Sequence, residues 1–153
     1  MLIVWKDEFS IDHGVIDDDH RFLFEFVSRI LANSREEDFR DRLANELRIL
    51  REFAVKHFTR EEALQRASGF PEQMEHGHLH RDLLDQLDRF VELMNLPQHT
   101  GEPMEKMENS LRKTQSFLYR WLLSHILDHD MKMRPYVAAM AGAARELESL
   151  AAL

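Results

Sequence analysis

Nine histidines stand at positions 13, 20, 57, 76, 78, 80, 99, 125 and 129 of the 153-residue chain. Neutral imidazole is the commonest metal ligand among side chains, and several of these histidines have partners at helical spacing. His57 with Glu61, His76 with His80, and His125 with His129 are i,i+4 pairs, which stack on one helix face and can reach a common centre. The chain has no cysteine. That removes disulfides, thiolate zinc sites, thiol catalysis and thiol redox sensing together. Nitrogen and oxygen ligands alone disfavour copper(I) and iron–sulfur centres and leave iron, manganese, zinc or cobalt.

The elements that must carry these residues are helical. Apolar residues make up 44% and charged residues 31%, with only five glycines and four prolines. Leu, Glu, Arg, Ala and Met, all good helix formers, are abundant. The first residues, with Trp5, Phe9 and Ile11, read as an irregular arm spanning 1–17. Asp17 and Asp18 are candidate caps for a helix at about 18–33. A second helix is expected from about Asp38 to Ser68, stopped by Gly69 and Pro71, and a third runs from there to about Asn95. A loop covers 97–103, and a fourth helix runs from about Pro103 to Met133, where Pro135 ends or kinks it. Connections this short predict an up-down-up-down antiparallel four-helix bundle, with an extra C-terminal helix.

The same reading places the histidines inside. Leu43, Leu47, Leu50, Ala54, His57, Glu61 and Leu64 recur in fours and threes along the second helix. His76, His80, Leu83, Leu87, Phe90 and Met94 follow that rhythm on the third, and Met104, Met107, Leu111, Thr114, Leu118, Trp121 and His125 on the fourth. On the first, His20 leads Leu23, Val27 and Ile30. This is the core-facing seam of a packed bundle. A single seam histidine is usually a core residue satisfied by one hydrogen bond. Five, with Glu61, are expected at one end of an antiparallel bundle, and so dense a buried polar cluster is costly unless something satisfies it. A metal does, and six or more ligands exceed one tetrahedral zinc and point to two ions. From spacing alone, His129 pairs with His125. Asp130 is about 140° around the helix from His125 and reaches the same centre only if the helix end loosens.

Four segments in order resemble the hemerythrin family, specifically its single-domain bacterial members. They are WKDEFSIDHGVIDDDH at 5–20, HFTREE at 57–62, Phe70-Pro71 followed by His76-x-x-x-His80, and WLLSHILDHD at 121–130. The resemblance spans about residues 2–133, nearly everything except the last helix. It implies two iron ions joined by an oxo or hydroxo bridge, with His76, His80 and His125 on one iron and His20 and His57 on the other. Glu61 and Asp130 would bridge them, Asp130 being preferred over His129. The five-coordinate iron would then bind dioxygen reversibly, with Phe58, Trp121, Leu122 and Ile126 as the pocket wall. A hemerythrin-like domain at 1–133 and a helical extension at 134–153 follow.

The other histidines have plainer roles. His78 faces away from His76 and His80, His99 lies in a loop, and His13 suits the surface or a cap. The run Asp17, Asp18, Asp19 suits a helix N-terminus. A formal charge of −8 with no basic run argues against nucleic acid or an anionic membrane as partner. The N-terminus lacks a signal-peptide pattern and no segment is long enough to span a membrane, so a cytoplasmic location is expected. Val137, Met140, Ala144, Leu147 and Ala151 can form one apolar stripe, expected to pack on the bundle, the alternative being a partner or dimer surface.

Four functions compete. The first is a dioxygen store, carrier or delivery protein rather than an enzyme. The second is a module sensing oxygen, nitric oxide or redox state. The third is a di-iron peroxidase, nitric oxide reductase or ferritin-like oxidase. Ferritin-like sites need two Glu-x-x-His pairs, and only Glu75-x-x-His78 has that form here. The fourth, a structural zinc bundle, is disfavoured by the number of ligands.

Overall fold

The computed structural model describes residues 4–32, 39–94 and 104–152. A short 3-10 turn at Asp7–Phe9 precedes α1 (Val15–Ala32), α2 (Phe39–Ser68), α3 (Gln73–Met94) and α4 (Met104–Asp128). A second 3-10 turn, Asp130–Met133, leads into α5 (Arg134–Ala151). Helices α1 to α4 form the bundle, and no strand occurs among the described residues. No helix is long and apolar enough to cross a membrane among those residues.

The core follows the seam. Leu23, Val27 and Ile30 of α1 are buried with Leu43, Leu47, Leu50 and Ala54 of α2, and with Leu87 of α3 and Leu118, Trp121 and Leu122 of α4. Leu83 and Phe90 are half-buried at its margins, and Leu64 is half-buried against a second apolar cluster. The side chains of Met94, Met104, Met107 and Leu111 lie outside the described residues. So do the loop at 97–103, His99 and the boundaries at Asn33-Ser34, Asp38 and Pro103.

Two helix ends depart from expectation. Helix α1 begins at Val15 rather than near residue 18, because Asp12 supplies the cap. Its carboxylate accepts the amides of Gly14 (2.9 Å), Ile16 (3.1 Å) and Asp17 (3.1 Å), satisfying donors that the first turn leaves open. Asp17 is buried inside the first turn and fastens the arm instead. It accepts the Ser10 hydroxyl, the Ile11 amide at 2.7 Å and the His13 amide at 3.0 Å. His13 adopts φ 51° there, in the left-handed region.

At the other end, α4 stops at Asp128 rather than running to Met133. His129, with φ −121° and ψ −59°, breaks the helix, and the 3-10 turn that follows swings Asp130 inward to full burial. Pro135 sits in the first turn of α5, where a missing N–H costs nothing. It therefore starts α5 instead of ending α4. The guanidinium of Arg134 donates to the carbonyls of Ser10 (2.6 Å) and Glu8, tying this junction to the arm. Ile11, Ile16, Phe70, Met133 and Val137 then close the bundle end as a second apolar cluster. Beyond it α5 leaves the body of the protein. Val137 is buried and Met140 half-buried, but Ala144, Leu147 and Ala151 are exposed. The expected stripe packs only through its first turns.

Candidate metal centre

Each bundle helix delivers its polar residues to the same end. His20 lies in the second turn of α1, His57 and Glu61 near the end of α2, His76 and His80 near the start of α3, and His125 in the last turn of α4. Asp130 follows on the 3-10 turn. All seven are buried, Glu61 and Asp130 completely.

The ε nitrogens of the five imidazoles converge on the two carboxylates. His76 and His125 each bring Nε2 to 3.0 Å from Asp130 Oδ1, and His20 Nε2 is 3.3 Å from Oδ2. His80 Nε2 is 3.0 Å from Glu61 Oε2, with His76 at 3.6 Å and His57 at 3.8 Å. Two sets of mutually close donor atoms result, each within 4.8 Å: Glu61, His76, His80, His125 and Asp130, and His20, His57, Glu61 and Asp130. The two carboxylates belong to both sets.

These contacts are ion-pair approaches without directed hydrogen bonds. Nε2 of His20, His76, His80 and His125, and all four oxygens of Glu61 and Asp130, lack a hydrogen-bond partner. Buried groups orphaned in this way cost several kcal/mol each, on the order of 2–7 for a neutral polar group. Metal ions between the imidazoles and carboxylates satisfy all of them, so the donor set fits two N/O-ligated cations.

Electrostatics prepare the same groups. Burial and the Asp130 charge would raise the Glu61 carboxyl, but contacts with His76 and His80 hold it at about 2. Burial would likewise raise Asp130, which the charge of His125 and contacts with His125, His20 and His76 hold well below the usual range. Burial opposes a proton on His76, yet Asp130 and Glu61 carry it up to about 9. At neutral pH both carboxylates are therefore anionic, and a cation entering the site would displace the proton of His76.

Two of the outward δ nitrogens are anchored, while His20 Nδ1 has no partner. His57 Nδ1 lies 3.2 Å from Asp19 Oδ2, and Arg60 grips both oxygens of Asp19 at 2.8 Å. His80 Nδ1 lies 2.8 Å from Glu62 Oε1. A carboxylate behind a ligating histidine fixes its ring and tautomer. Asp19 was expected at a helix cap; its buried position behind His57 corrects that. Asp19, Arg60 and Glu62 carry no spacing signature of their own. Their only signal is sequence adjacency to ligand candidates.

Phe58 joins the two sets. It stacks on His80 at 3.9 Å and 9°, meets His125 edge-on at 5.7 Å, and lies 5.5 Å from His57. Trp121, Leu122 and Ile126 are buried in the same apolar cluster as Phe58, and Trp121 Nε1 donates to the Leu83 carbonyl at 3.0 Å. His129 is half-buried with its ring 5.8 Å from that of His125, and it joins neither donor set. His78 and His13 are exposed, with Nδ1 contacts to Arg81 (2.6 Å) and the Ser10 hydroxyl (2.9 Å).

Residues 13–137 match the model of the hemerythrin HHE cation binding domain. A bacteriohemerythrin of Clostridium acetobutylicum is 29% identical over 132 residues, covering 84% of this chain and 96% of its own. One from Stenotrophomonas maltophilia is 25% identical, covering 90% and 83% respectively. Hemerythrin subunit 1 of Golfingia vulgaris is 27% identical, covering 86% of this chain and 90% of its own.

Proposed function

The chain belongs to the hemerythrin family of non-haem di-iron oxygen-binding proteins, and from that premise we propose that it binds dioxygen reversibly, to store, carry or deliver it. The observation that carries this reading is the pair of donor sets sharing Glu61 and Asp130. One adds three histidines, His76, His80 and His125; the other adds only His20 and His57. With Glu61 and Asp130 shared, the set with two histidines would hold its ion through one fewer protein ligand, and an external molecule would find its place there. When bound, the iron pair supplies the electrons that hold dioxygen as a reversible ligand.

The chain's own residues do the rest. The two carboxylates stay anionic, and Asp19 with Arg60 and Glu62 hold two of the imidazole rings. Phe58, Leu122, Ile126 and Trp121 keep water and stray proton donors from the pocket, which favours release of the ligand unchanged over its reduction. Imidazole-rich ligation suits reversible binding, and this reading makes the protein a carrier rather than an enzyme. The exposed Leu147 and Leu150 of α5 favour one alternative, a sensor whose state a partner reads there.

Anaerobic protein loaded with iron(II) should take up two ions per chain and develop a visible charge-transfer band in air that vanishes on deoxygenation. Irreversible bleaching, or turnover of hydrogen peroxide, would favour an enzyme. Fewer than two ions per chain would remove the basis of the reading.

A further inference from the structure

Gln65 of α2 is completely buried, and neither its amide nitrogen nor its amide oxygen has a partner. Among the described residues it is the only one outside the proposed ligand set whose buried side-chain donor and acceptor are both orphaned. A primary amide buried without partners is costly for the same reason as the orphaned ligands. It therefore marks an interaction completed by something else at this site.

Its place on the helix identifies the interaction. His57, Glu61 and Gln65 follow one another at i, i+4 and i+8, and all three are buried on the face of α2 turned into the bundle. Helical side chains lean back toward the N-terminus over the preceding turn, which brings the Gln65 amide over Glu61. Its backbone carbonyl accepts the Phe70 amide at 3.0 Å, and Phe70 packs with Ile11, Ile16, Met133 and Val137 in the apolar cluster at this end of the bundle. These neighbours offer apolar surface. One turn back on the same helix, both oxygens of Glu61 are orphaned as well.

We propose that Gln65 is a positioning residue for the metal centre, its amide N–H donating to Glu61 and setting the orientation and basicity of that bridging carboxylate. The inference rests on the two-metal reading of the site. A carboxylate oxygen that gives one lone pair to a metal keeps another for a hydrogen bond, and a neutral donor there draws charge from the bridge without adding a competing ligand. Metal binding fixes Glu61 and so completes the bond.

The test compares wild-type protein with Gln65→Met and Gln65→Glu, each folded by circular dichroism. Both variants keep the volume of the side chain and lose the neutral donor. Gln65→Met should bind zinc(II) or iron(II) roughly 10-fold more weakly in chelator competition, the lower end of the range for lost outer-shell partners. The midpoint potential of its iron pair should fall, because an unsupported carboxylate donates more charge. Gln65→Glu should also weaken metal binding less than Gln65→Met while shifting the potential further in the same direction, since it adds negative charge. If either variant fails to fold, wild-type protein decides the matter alone. In its diamagnetic zinc(II) form the Gln65 side-chain N–H resonances should move downfield and exchange more slowly than in metal-free protein. Wild-type protein binding two metals, with unchanged variants or unmoved resonances, overturns the role of Gln65 alone. Wild-type protein that does not bind two metals overturns the reading of the site and this inference with it.

Discussion

Asp19 has two partners, His57 and Arg60, that pull in the same direction. Burial would raise its carboxyl, but His57 and Arg60 outweigh burial and hold it below its ordinary value. The resulting anion faces Nδ1 of His57, whose own proton affinity is lowered by burial. Asp19→Asn removes that charge while preserving shape, and metal affinity should fall by about 10–100-fold, read by competition with a chromophoric chelator. Glu62→Gln should act similarly through His80, and unchanged affinity in both variants would show that ring anchoring contributes nothing. The protons give a second expectation, for metal-free protein. His76 is raised to about 9, so its pairing stabilises the fold fully below the ordinary histidine value of about 6.5. That contribution is lost as pH rises toward about 9. His20, opposed by burial but raised by Asp130, acts in the same direction. Thermal midpoints of chelated protein should therefore decline between about pH 6.5 and 9. Metal-loaded protein, with His76 held neutral by coordination, should lack that decline. Equal profiles with and without chelator would contradict it.

At the scale of elements, the site depends on where helices stop. Gly69 ends α2 at φ 70°, a left-handed conformation that lets the chain turn into α3. A Cβ there would meet nothing within 4 Å, so only backbone strain opposes substitution. Gly69→Ala should cost about 1–2 kcal/mol, visible in the denaturation midpoint with metal stoichiometry retained; a loss of metal instead would mean that the turn sets the position of His76. Asp12→Ala removes the acceptor for three amides at the start of α1 and should cost about 0.5–2 kcal/mol. The sequence showed that α4 must end near Pro135 but not how. Proline ends or starts a helix equally well, because its fixed φ and missing N–H suit a first turn. Local propensity cannot separate those outcomes. The docking of Arg134 on the arm carbonyls and of Met133 in the apolar cluster belongs to the assembled bundle.

For the whole molecule, the proposed centre would link the metals to the fold. Stripping them leaves buried carboxylates and imidazoles facing one another without directed bonds, so a chelator should lower the thermal midpoint while far-ultraviolet circular dichroism stays helical. An unchanged midpoint would mean that metal binds the folded state no better than the unfolded one. Residues 143–152 are exposed throughout. Deleting them should leave two metals per chain and stability within about 0.5 kcal/mol; a larger loss would assign the end of α5 a structural role in solution. By itself the sequence determined the four helices, their inward faces and the end of the bundle where His20, His57, Glu61, His76, His80 and His125 meet. Helical periodicity and short connections are local, and together they dictate which side chains share a level. Only the tertiary structure decided that Asp130, not His129, turns into the donor sets, that Asp19 stands behind His57, and that Gln65 is buried with neither amide atom partnered. Those outcomes depend on how separate helix ends pack against one another, and no spacing within one helix encodes that contact.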